Sequence, residues 1–245
     1  MSTSVQQAIA MLPLPEGWIW HVEARPRRRT LGIEVTPEGE VVFAVPVDAE
    51  PRSVATAVRS RLPRLAEEVR QRRLRPPEPV KELVGGSSFP YLGRRYRLKP
   101  VPVVCGARVR LRAGWLELPQ PDTPEAGAHA LAEWYSERGR RWLAARVSPI
   151  ALAMGVRPRT IGVDDLGARW GACHPDGLIE VHWAVMQLPV PLVEFVVVHE
   201  LCHLHVPGHG EAFRRAMRLA LPDVEERERW FAEEEPLLWR GRVAR

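Results

Sequence analysis

The stretch Val196-Val197-Val198-His199-Glu200-Leu201-Cys202-His203-Leu204 lies in the most apolar helical segment of the chain, yet it carries two imidazoles and a carboxylate. An apolar segment of this kind folds as a buried helix, and ionisable groups are tolerated there only when neutralised, hydrogen-bonded or ligated. His199 and His203 are four residues apart, so on a helix their rings share one face and can converge on one ion. Glu200 leans over that ion without ligating it, where it can take the proton of a metal-bound water. Neutral imidazoles in a tetrahedral site with one open position suit zinc. Two histidines do not hold such an ion alone. His209 lies six residues beyond His203, past Pro207-Gly208, which stop the helix and let the chain fold back. The competing third ligands are Glu225, Glu226 and Glu228, but Arg227 and Arg229 accompany them as on a solvated helix face.

The neighbouring candidates carry weaker signals. Cys202 points about a third of a turn from the shared histidine face and reads as a small buried hydrophobe. His205 faces away, and His174 and His182 flank a turn, where a structural role is the simpler reading.

Along the first half, Trp18–Glu23 and Thr30–Val35 alternate as half-buried strands, and Thr36-Pro37-Glu38-Gly39 turns the chain into Val41–Val45. Val54, Val58, Leu62, Leu65 and Val69 recur at helical spacing, with Pro63 expected to kink or split that helix. Residues 74–80 read as a linker. Strands are expected over Tyr91–Leu98 and over Ala107–Leu118, the latter turning at Ala113-Gly114. Asp122-Thr123-Pro124-Glu125 then starts a helix, because a capping residue precedes proline at the first helical position. Leu131, Trp134, Tyr135, Trp142, Leu143 and Val147 mark its buried face. Residues 159–183 read as three strands with a turn at His174-Pro175-Asp176-Gly177. The apolar helix runs from about Val190 through His203, and two shorter amphipathic helices follow around Pro222. The outer 15 residues at each end are expected to be poorly ordered.

Composition narrows the setting. A hydrophobic share of 45% with 27% charged residues is that of a soluble globular protein. Three cysteines, Cys105, Cys173 and Cys202, make no disulfide framework and point to a reducing compartment. No apolar run reaches bilayer length and residues 1–10 have no secretory pattern, so a cytoplasmic location and no membrane partner are expected. The net charge of +5 is carried almost wholly by arginine. The densest basic runs, Arg25–Arg29 and Arg70–Arg75, have no aromatics between them, so nucleic acid is the less favoured partner and a peptide or protein the favoured one.

Beyond the central motif the chain resembles the YgjP-like metallopeptidases, a bacterial family related in its motif to the SprT-like and WLM peptidases. Arg169-Trp170-Gly171-Ala172-Cys173, Ile179–Trp183, Phe195–Leu204 and His209 carry the resemblance, and Glu211, Phe213, Pro222, Asp223 and Trp230 continue it. Thr30–Val47, Leu92–Tyr96 and Trp134-Tyr135 extend it into the first half. Ala172, His182, Gly208 and Gly210 depart from the residues usual there. The resemblance implies a zincin-like catalytic half with a small sheet whose edge can pair with an extended peptide. The hairpin 169–183 is the candidate edge, with plain packing as the equal alternative. Arg169, Trp170 and His182 are the candidate substrate contacts; for Arg169 the alternative is a cation stacked on Trp170.

The expected fold is therefore α+β, with a β-rich half over residues 1–120 and a zincin-like half over 121–245. The expected activity is zinc-dependent peptide hydrolysis, with His199, His203 and His209 on the metal and Glu200 as the proton carrier. The rival is a nucleic-acid-associated module whose zinc site acts on DNA-bound proteins or is catalytically silent.

Overall fold

The computed structural model describes residues 2–26, 28–36, 39–74, 77–104 and 106–244. Pro37 and Glu38 of the first expected turn, Arg75 of the second basic run and Cys105 lie outside them. The architecture is α+β, and the chain divides into two compact units, Met1–Pro77 and Glu78–Arg245.

In the first unit, helix α1 (Ser2–Ala10) precedes strands β1 (Trp20–Ala24), β2 (Gly32–Val35) and β3 (Val41–Val45), and helix α2 (Pro51–Leu74) follows. The expectation of poor order at the N-terminal end does not hold: Val5, Ile9 and Leu12 are buried with Phe43, Val58 and Leu65 in one core. Helix α2 is continuous through Pro63, because Val54, Val58, Leu65 and Val69 form a buried stripe on both sides of the missing hydrogen bond. β1 runs parallel to β3 and β2 antiparallel to it, in the order β1-β3-β2.

The second unit opens with β4 (Ser88–Tyr91), β5 (Arg94–Val101), β6 (Arg110–Arg112) and β7 (Trp115–Pro119), in the order β4-β5-β7-β6. The single strand expected over Tyr91–Leu98 is a hairpin. Leu92 (φ 49°) and Gly93 (φ 77°) supply the two positive φ angles that a tight two-residue turn requires. Phe89, Leu98, Leu116 and Leu118 of this sheet share one core with the helices that follow. That common core is why the units divide at Pro77/Glu78 and not at residue 120.

Helix α3 (Pro124–Ala153) starts as its sequence dictates, with the Thr123 hydroxyl accepting from the Ala126 N–H at 3.1 Å. β8 (Thr160–Asp164), β9 (Gly171–Cys173) and β10 (Leu178–His182) form a second three-stranded sheet, ordered β8-β10-β9. A 3-10 turn over Trp183–Gln187 leads into α4 (Val190–Cys202), then α5 (Glu211–Ala220) and α6 (Val224–Glu234). The pairing is the same in all three sheets: β1 with β3, β5 with β7 and β8 with β10 are parallel, and the intervening strand lies antiparallel on the far side.

The C-terminal end is also packed, against expectation. Trp239 is fully buried, with its ring 5.3 Å from that of Phe89 and 5.5 Å from that of Trp183. Its carbonyl accepts from Gln187 Nε2 at 2.7 Å, and its indole N–H donates to the Arg242 carbonyl at 2.6 Å. Val243 then bridges to Lys81. Trp239→Ala is therefore expected to destabilise the second unit by about 3–5 kcal/mol, as buried aromatic truncations do. Urea unfolding measures this; a loss below about 1 kcal/mol would mean that the tail is an ornament of the fold.

Candidate metal centre

Helix α4 is apolar all round, with Leu192, Val193, Val196, Val197, Val198, Leu201 and Cys202 buried, and it packs against α3, α5, α6, β9 and β10. It ends at Cys202, one residue earlier than the spacing suggested. His203 nevertheless keeps helical angles (φ −67°, ψ −16°), so its ring stays on the face of His199. The Val206 N–H then bonds back to the Cys202 carbonyl at 3.0 Å. Gly208 at φ 79° takes the left-handed turn that a side chain would oppose, and His209 comes back over the helix end.

The three imidazoles meet. His199 Nε2 lies 3.3 Å from His203 Nε2 and 3.0 Å from His209 Nε2. Bonds of about 2.0–2.1 Å to a tetrahedral cation such as zinc place ligand nitrogens about 3.3 Å apart, so the donor set fits such an ion. The His203 Nδ1 atom is 3.2 Å from the Val206 carbonyl, which can only accept. The ring proton therefore sits on Nδ1 and leaves the Nε2 lone pair facing its neighbours. Burial, and secondarily the two other rings, pushes His199 down to about 4, so at neutral pH it is an uncharged donor. Phe213 of α5 backs all three rings at centroid distances of 4.8, 4.6 and 4.9 Å. Cys202 is the expected buried hydrophobe; its Sγ packs 3.6 Å from the Met217 sulfur, and burial pushes its thiol up to about 11.

Glu200, one residue along the helix, lies against β9. Its carboxylate occupies the space that a side chain at residue 171 would take: a Cβ on Gly171 would fall 2.4 Å from Oε1. Burial raises this carboxyl to about 7, opposed by the positive charge of Arg169. β9 is an edge strand. The His182 N–H bonds to the Trp170 carbonyl and the His174 N–H to that of Leu178, so residues 170, 172 and 174 face β10. By the alternation of an antiparallel ladder, the backbone groups of Gly171 and Cys173 point to the open edge, beside Glu200.

The three substrate candidates separate. Arg169 is exposed and its charge is felt at Glu200. Trp170 is built into the scaffold: its indole N–H donates to Glu235 at 2.6 Å, and the cation over its ring is Arg240, at 4.2 Å, not Arg169. His182 is 1% exposed. Its Nδ1 accepts from the Ala184 N–H at 3.0 Å, capping the 3-10 turn, and its Nε2 is 3.3 Å from Asp165. Burial, aided by Arg240, pushes His182 to about 4. Of the remaining histidines, His174 pairs with Glu180 at 2.5 Å and His205 is exposed. Glu225 is held by Arg218 at 2.7 Å, and neither it, Glu226 nor Glu228 belongs to the imidazole cluster. Nothing in the residue pattern assigns Phe213 or Gly171 a role at the centre. The only hints were an aromatic four residues after His209 and a glycine after Trp170.

On this geometry, His209→Ala lowers divalent-metal affinity by about two orders of magnitude or more. Phe213→Ala costs about tenfold, in the range of lost outer support. Glu225→Ala, Glu226→Ala and Glu228→Ala leave affinity within about twofold. Competition with a chromogenic chelator reads all five, and a metal-free glutamate variant beside a metal-loaded His209→Ala protein would reject the histidine set.

Comparison with known proteins agrees with the motif. The model of the YgjP-like metallopeptidase domain matches residues 29–234, a span that holds the three histidines, Glu200, Phe213 and β9. No curated protein and no solved structure gives a match. The matched span takes in strands of the first unit and all the helices around the centre, and the chain belongs to the YgjP-like metallopeptidase family.

Proposed function

We propose that this chain is a zinc-dependent peptidase that hydrolyses a peptide or protein held in extended form along β9. The observation that carries the reading is the convergence of the His203 and His209 Nε2 atoms to 3.3 and 3.0 Å from His199 Nε2, together with a buried carboxylate one residue along the helix. His199, His203 and His209 would hold the ion. Zinc bound there supplies Lewis-acid chemistry, acidifying water and polarising a carbonyl.

The other steps belong to side chains and backbone. The substrate strand adds to the open edge of β9 through the backbone groups of Gly171 and Cys173, which sets its register beside Glu200. Glu200 takes a proton from the attacking water and passes it to the leaving amine. A carboxyl near 7 in the protein alone suits a group that must both accept and return a proton, and a nearby cation draws it lower. Arg169, exposed and close enough to bias Glu200, is placed to steady negative charge on the substrate side. Cys173 and Cys202 are free thiols, in keeping with work in a reducing compartment such as the cytoplasm. Among the described residues no helix is long and apolar enough to cross a membrane.

Two variants test the reading with zinc-loaded protein and a fluorescent peptide library. Glu200→Gln keeps about one zinc per chain and loses about 10²–10⁴-fold in hydrolysis, because an amide cannot accept the proton. Gly171→Ala keeps zinc and fold but loses about 10²-fold, because the added methyl displaces the carboxylate end of Glu200. Equal loss of zinc in Glu200→Gln, or undiminished hydrolysis, would make Glu200 structural.

A further inference from the structure

The outer face of the β4–β7 sheet has no part in the centre just described. Its inner face is core: Phe89, Leu98, Leu116 and Leu118 are buried. Alternation then puts Arg95, Arg97 and Lys99 of β5 on the outer face, with Trp115 and Glu117 of β7. Register extends the set, since Arg112 lies opposite Trp115 and Arg110 opposite Glu117 across β6–β7. Arg97 lies opposite Trp115 from the other side, across β5–β7. The indole, 40% exposed, thus sits between two guanidinium-bearing positions on adjacent strands. The acid among these paired positions is Glu117, which Arg110 engages at 2.7 Å and whose carboxyl is held low by Arg110, Arg112 and Lys99. Arg95, Arg97, Lys99 and Arg112 remain for an external polyanion.

We propose that this sheet face binds single-stranded nucleic acid, with Trp115 stacking on a base while Arg95, Arg97, Lys99 and Arg112 engage phosphates. Charge complementarity names a polyanion, and an aromatic platform set in a basic sheet names one that carries planar bases. A pleated sheet face presents its side chains in rows to a flexible strand, whereas a duplex hides its base faces. A lipid surface would call for several protruding apolar groups; this face offers one indole. Three of its cations lie in the stretch Arg94–Lys99 of β5, but Arg112 of β6 and the indole of β7 join them only through strand pairing.

The test is fluorescence anisotropy of a labelled twenty-residue oligothymidylate with the full-length, zinc-loaded protein between 50 and 200 mM NaCl. Four phosphate contacts predict a slope of log K against log salt of about −2.8, or a loss of roughly fiftyfold over that range. Arg97→Gln/Arg112→Gln should make the slope shallower by about 1.4, and Lys99→Gln alone by about 0.7. Trp115→Ala should weaken binding about tenfold without changing the slope, and Trp115→Phe should recover most of that loss. Arg59→Gln/Arg64→Gln, which removes exposed cations of α2, should leave the slope unchanged. Zinc content and thermal melting certify each variant, and Lys99→Gln carries the test if the double variant does not fold. An equal effect of the α2 variant, an unchanged slope in the sheet variants, or tighter binding of a duplex overturns the proposal. So does displacement of the oligonucleotide by polyglutamate or phosphatidylserine vesicles at matched charge.

Discussion

Placing ionisable groups at the buried positions of a largely apolar helix is the constraint on which the rest of the second unit turns. A charge at those positions of α4 meets little water, so burial favours the uncharged forms of His199 and Glu200. Burial moves His199 down to about 4 and Glu200 up to about 7, in opposite directions and for the same reason. A cation between the rings reverses the balance, because it rewards both the imidazole lone pairs and the carboxylate charge. The surrounding elements divide the labour. α5 brings Phe213 behind the rings, β9 leaves a gap at Gly171 for the carboxylate, and the turn through Gly208 returns His209 to the helix end.

What the sequence disclosed and what it hid follow from range. The His199–His203 spacing, the Thr123 cap and the turns at Ala113-Gly114 and His174–Gly177 are local, and each appears where its residues demanded it. The roles of Phe213, Gly171 and the tail are non-local. Phe213 stands ten and fourteen residues from His203 and His199, Gly171 stands far from Glu200 along the chain, and Trp239 reaches back to Phe89. A leucine at positive φ is rare, so the sequence carries no turn signal for the hairpin at Leu92-Gly93; the Leu92 N–H is tied to the Met186 carbonyl at 2.8 Å, which offsets the local cost. Helix α1 escaped notice because Val5, Ile9 and Leu12 are too few to declare a period until a core receives them.

Trp170 shows how a motif residue can matter without touching chemistry. It joins β9 to Glu235 and Arg240, which lie beyond the span matched by the family. The basic sheet face is a related case, since strand pairing brings Trp115 and Arg112 beside the alternating cations of β5.

The pairing shared by the three sheets has a consequence for how the molecule assembles. In each, the spatially central strand is the last of its three to appear along the chain, and it makes an antiparallel pair with its immediate predecessor. Those hairpins close short loops, so their entropy of closure is small and they can zip early. The first strand of each trio gains its parallel partner only when the third arrives, and β5 is meanwhile held by its hairpin with β4. Among the described residues the exposed edge of each early hairpin is then covered by a strand that already lies earlier in the chain, which limits the time an unpaired edge is open to other chains.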